Sequence, residues 1–115
     1  MQVQREVRDG RLVLTPDGSL MVGGSAEEFE TLLQNVLDEG HKHLIVCLSQ
    51  VTHIDSGGVR ALVRGFQTAQ RLGGSLVLAS VDRHVHHILE IMRLDVVLHC
   101  FESVDTAIAG SPAST

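Results

Sequence analysis

One stretch, His43 to Val63, constrains this chain more than any other. His43 to Leu48 is apolar at almost every position and too short to stand as a helix, which fits a central strand covered on both faces. A polar turn leads from it into Asp55-Ser56-Gly57-Gly58, and from Val59 onward the apolar residues recur at helical spacing. The pattern reads as strand, loop, helix, with the helix starting at about Gly57. Ser56 then stands at a helix N-terminus, where N–H groups lack intrahelical partners and the macrodipole favours negative charge, so a phosphate is tolerated there.

The segments around this stretch build the rest of an α/β layer. Val3, Arg5 and Val7 alternate up to Asp9-Gly10, a two-residue hairpin signal, and Leu12 to Thr15 returns antiparallel. Pro16-Asp17-Gly18 reads as a second turn, and Ser19 to Val22 as a third short strand of an edge meander. Ser25 with Glu28 fits a capping box for a first helix whose stripe is Phe29, Leu32, Leu33, Val36 and Leu37, ended by Gly40. In the helix after Ser56, Val59, Leu62, Val63, Phe66 and Ala69 share one face, while Arg60, Arg64, Gln67 and Arg71 share the other. Ser75 to Ser80 is a strand parallel to the central one, because a helical crossover joins them. Val85, Ile88, Leu89 and Met92 mark a third helix, Asp95 to Cys100 a last strand, and Ser103 caps a short helix through Ile108. The fold expected is one mixed sheet of about five strands with about four helices packed mainly on one face, over residues 1–110, followed by a flexible tail at 111–115.

The order strand, Val51-Thr52-x-Ile54-Asp55-Ser56-x-Gly58, helix, then Gly73-Gly74 and a second apolar strand resembles the STAS domain, specifically its free-standing anti-sigma factor antagonists. The resemblance covers about Val13 to Ile108. It implies that Ser56 is phosphorylated by a partner kinase that is itself the anti-sigma factor, an ATPase-type serine kinase. It also implies a contact surface in the loop and first turns of the helix: His53, Asp55, Ser56, Gly57, Gly58, Val59, Arg60 and Arg64. Unphosphorylated, such a module captures the kinase and releases a sigma factor; phosphorylated, it lets go. Antagonists of this kind usually carry a polar residue where this chain has Cys47, and an Asp after Gly-x-Leu where it has Met21. The other role the resemblance allows is an unphosphorylated accessory subunit of a lipid-transporting ABC system.

Composition narrows the classes further. A formal charge of −5 with no basic block and 3% aromatic residues argues against nucleic-acid binding. Cys47 and Cys100 lie in apolar runs, not in a CxxC pair, and read as buried, reduced thiols of a cytosolic protein. No apolar run reaches membrane-spanning length, so no direct membrane insertion is expected. Asp55-Ser56-Gly57-Gly58 is similar to part of the serine-protease Gly-Asp-Ser-Gly-Gly, but Ile54 replaces the first glycine and a helix follows, and adjacency of His53 builds no triad. His84 and His87 share a helix face, and His41 and His43 flank Lys42, without other ligands at metal spacing. The expectation is a non-enzymatic binding module with no cofactor and no metal, whose hairpin edge leaves a homodimer open.

Overall fold

The computed structural model describes residues 1–113. Strands β1 (Gln2–Arg8) and β2 (Arg11–Leu20) form the expected hairpin, with Asp9 and Gly10 both at positive φ. There follow α1 (Ser25–Asp38), β3 (His43–Cys47), β4 (Val51–Ile54), α2 (Ser56–Arg71), β5 (Ser75–Ala79), α3 (Arg83–Ile91), β6 (Cys100–Phe101) and α4 (Val104–Gly110). The six-stranded sheet runs β1-β2-β3-β5-β6, and β4 joins it by pairing with β2. Strands β2, β3, β5 and β6 are parallel to one another.

Alternation along the strands decides which layer each residue enters. Leu12, Leu14, Leu44, Val46, Leu76 and Leu78 face one side and meet Phe29 and Leu33 of α1, Leu62 of α2 and Leu89 of α3. Val13, Ile45 and Val77 face the other side and meet Ala107, flanked by Val104 and Ile108 of α4. Three helices thus cover one face and α4 alone covers the other, which is the mixed α/β layer expected.

Four local expectations need correction. Pro16-Asp17-Gly18 does not turn the chain: β2 runs through it for 10 residues. Leu12 to Leu14 pair with β3 and Gly18 to Leu20 with β4, so Pro16 falls where that side of β2 has no ladder to interrupt. The residues read as a loop after the central strand include a true strand, β4, parallel to β2. The cap of α1 is Gly24, one residue before Ser25, and Glu27 instead of Glu28 reaches back, its Oε1 accepting from the Gly23 and Gly24 N–H groups at 2.8 Å each. The φ of 156° at Gly24 suits only glycine, and Ser25 Oγ turns away to accept from the Met21 N–H at 3.0 Å. Finally, the strand expected over Asp95 to Cys100 shrinks to Cys100–Phe101. The Val97 and Leu98 N–H groups bond back to the Leu94 carbonyl and form a turn that buries Leu98 while leaving Val96 75% exposed.

Both cysteines are free thiols. Cys47 is buried, but Cys100 is only half-buried because β6 is an edge strand; burial, with a smaller push from Asp95, raises its pKa. Ser103 caps α4 as expected, its Oγ accepting from the Thr106 N–H at 3.1 Å. Beyond α4, Ser111 Oγ accepts from Arg11 Nε at 3.0 Å. Of the expected tail, Ser114 and Thr115 lie outside the described residues. No helix among the described residues is long and apolar enough to cross a membrane.

Candidate functional site

Ser56 is the first residue of α2, and Asp55 is its N-cap. Asp55 Oδ1 accepts from the Gly57 N–H at 2.9 Å and the Gly58 N–H at 3.2 Å. The Val22 N–H donates to both oxygens of the same carboxylate, at 3.2 Å to Oδ1 and 3.0 Å to Oδ2. One side chain therefore closes the first turn of α2 and ties it to the loop before α1. Those donors, Val22 foremost, hold the Asp55 carboxyl below its ordinary pKa.

That shift has a testable sign. A carboxylate with a lowered folded-state pKa contributes stability that is present above the unfolded value and lost as pH falls through the folded one. The urea midpoint of the wild type is expected to drop more steeply below about pH 4 than that of Asp55→Asn, which keeps the shape but cannot ionise. Superimposable acid limbs would refute a stabilising role for the charge.

The geometry changes the reading of two features. The amides at the start of α2 are not free for an incoming anion, because the Asp55 carboxylate already occupies those of Gly57 and Gly58. Gly57 and Gly58, expected in the contact surface, instead serve close packing within the chain. A Cβ on Gly58 would lie 2.4 Å from the Leu20 carbonyl oxygen and 2.6 Å from Ile54 Cγ1, and one on Gly57 would lie 2.4 Å from Val22 Cγ2. The glycines let this chain's own β2, β4 and α1 loop approach the helix.

The remaining candidates divide by exposure. Ser56, His53 and Arg60 are exposed. Arg64 is exposed too, but its guanidinium meets Glu30 Oε2 at 3.2 Å. Val59 is 1% exposed and part of the core, so it offers no surface to a partner, and Gly58 is buried with it. Sequence reasoning missed Val22, which is 67% exposed and stands beside Met21, the position where the family usually carries Asp. Its signal was an apolar pair at the end of a strand, next to Gly23-Gly24, where no core position was available. Cys47, by contrast, is buried, with its sulfur 3.2 Å from Ser49 Oγ.

The surface at the head of α2 thus carries an exposed serine beside a fixed carboxylate, an apolar shoulder at Met21 and Val22, and Arg60 one turn along the helix. It is not a cleft. A cavity of about 550 Å³ lined by Phe66, Gln70, Val77, Val96, His99 and Phe101 lies toward the other end of α2. Among the described residues, no group of three or more His, Cys, Asp or Glu is placed to hold a metal ion.

Comparison with known proteins agrees with this architecture. The chain is 26% identical over 91 residues to the putative anti-sigma factor antagonist BtrV of Bordetella bronchiseptica, covering 79% of this chain and 78% of that one. The crystal structure of the putative anti-sigma factor antagonist TM1081 of Thermotoga maritima superposes with a TM-score of 0.89 at 22% identity, over 95% of this chain and 93% of that one. The anti-sigma factor antagonist SpoIIAA in its unphosphorylated form superposes at 0.74 with 14% identity, over 94% of each chain. The family described as the STAS domain matches residues 2–107, from β1 into α4 and across the whole loop that carries Ser56, and this chain belongs to it.

Proposed function

We propose that the protein is an anti-sigma factor antagonist that works in the bacterial cytoplasm by partner switching. With the Ser56 hydroxyl bare, it captures an anti-sigma factor of the ATPase-type serine kinase class and so frees a sigma factor; phosphorylated on Ser56, it releases that kinase. The protein performs no chemistry itself, and the ATP and Mg²⁺ belong to the kinase.

The observation that carries this reading is the position of Ser56. Its hydroxyl is exposed at the head of α2, while Asp55, not Ser56, does the capping, so the fold does not depend on keeping that hydroxyl unmodified. A phosphate would add roughly −1.5 to −2 charges beside a carboxylate that is already fixed in place. Repulsion and desolvation at the contact then separate the two states without unfolding either. Met21 and Val22 supply apolar contact on one side, and Arg60 steers an acidic partner on the other, Arg64 being paired with Glu30. The relatives named as anti-sigma factor antagonists point the same way.

Intact-mass measurement after incubation with ATP, Mg²⁺ and each ATPase-type serine kinase of the host tests the assignment. One added phosphate on the wild type and none on Ser56→Ala is the expected result. Equal binding of such an ATPase by wild type, Ser56→Ala and Ser56→Glu, without phosphate transfer, would sink the switch and point to a constitutive adaptor, the role that an ABC accessory subunit plays.

A further inference from the structure

Arg60 lies four residues after Ser56, one turn along the exposed side of α2. Side chains at this spacing have Cβ atoms about 5–6 Å apart, and the favourable order places the anion N-terminal to the cation. Three arginines have acidic partners: Arg64 with Glu30 at 3.2 Å, Arg8 with Asp105 at 2.9 Å and Arg5 with Glu39 at 3.4 Å. Among the described residues Arg60 has none, as is also true of Arg11, Arg71, Arg83 and Arg93, but Arg60 alone of these lies one turn from Ser56. The carboxylates on the adjoining segments are engaged elsewhere, Glu27 on the amides of Gly23 and Gly24 and Asp55 on those of Val22, Gly57 and Gly58. On the strand before the site, β4, the Nδ1 of His53 lies 3.2 Å from Thr52 Oγ1.

We propose that Arg60 captures the phosphate of phosphorylated Ser56 within the same chain. This rests on Ser56 being the modified residue. With two of the helix-terminal amides held by Asp55, the guanidinium is the strongest donor the chain offers to that phosphate, and its planar fork matches phosphate oxygens. The Asp55 carboxylate repels the phosphate from the cap side and so directs it along the helix toward Arg60. Phosphorylation then changes the contact surface twice: it adds a dianion, and it withdraws the cation that steers an acidic partner.

Phosphoserine encoded at position 56 during translation needs no kinase, so this test is separate from the question of whether a kinase acts on Ser56. Phosphorus NMR titration is read on the encoded protein, on its Arg60→Gln form and on its Arg64→Gln form. The second phosphate pKa is expected to be lower with Arg60 present than in Arg60→Gln by about 0.3 pH unit or more. The gap should shrink in about 1 M NaCl, and Arg64→Gln should match the wild type because Arg64 belongs to Glu30. Equal values in wild type and Arg60→Gln would overturn the proposal even if Ser56 proves a good kinase substrate. A clear gap with no kinase able to modify Ser56 would uphold the ion pair and defeat the switch.

Discussion

Gly58→Ala is expected to lower the unfolding free energy by about 1–2 kcal/mol and the melting temperature by roughly 5–15 °C. The new methyl group would stand 2.4 Å from the Leu20 carbonyl oxygen, which is backbone, and that oxygen also accepts the Asp55 N–H at 3.2 Å. Overpacking of this kind costs about 1–3 kcal/mol, and the better helix propensity of alanine returns at most about 1 kcal/mol of it. Gly57→Ala provides the contrast. Its closest obstacle is Val22 Cγ2, the end of an exposed side chain that can rotate, so its cost should stay below about 1 kcal/mol. Thermal melts of the two variants give the answer, and a Gly58→Ala protein as stable as wild type would mean that α2 does not need this close approach.

Under the proposed switch, phosphorylation of Ser56 is expected to weaken capture of an anti-sigma kinase by about a hundredfold, while Ser56→Ala stays within about threefold of wild type. Like charges brought together at a contact cost several kcal/mol, and a hundredfold corresponds to about 2.7 kcal/mol. The hydroxyl itself is small and caps nothing, so its removal leaves the surface nearly intact. Calorimetric titration of the kinase with the three forms reads the effect, and the phosphate penalty should shrink as salt rises. Equal affinity for the phosphorylated and bare forms would show that the charge does not face the partner.

The elements whose identity is set by local pattern were legible in the sequence. The apolar run of β3, the stripe of α2 and the Ser103 cap of α4 each follow from residues within a few positions of one another. What the sequence hid depends on partners far along the chain. Pro16-Asp17-Gly18 carries turn chemistry, yet β2 stays extended because β1 pairs with it from Arg11 to Asp17 while β3 and β4 share its other side. Val51 to Ile54 becomes a strand only because the end of β2 is there to receive it. The site divided the same way: Asp55 at the cap could be read directly, whereas its bond to Val22, 33 residues earlier, could not. Val59 shows the same division: its apolar spacing puts it on the packed face of α2, where the structure buries it, so its inclusion in the contact set came from the family pattern and not from the helix itself.

The branching of β2 also has a dynamic consequence. Strand β3 has neighbours on both sides, but β4 pairs with β2 alone, so the amides of β4 can open without dismantling the sheet. In hydrogen exchange, β4 and the Val22 amide should therefore lose protection well before β3 and β5. The platform beneath Ser56 is thus the part of this molecule that can be reshaped at least expense to the core.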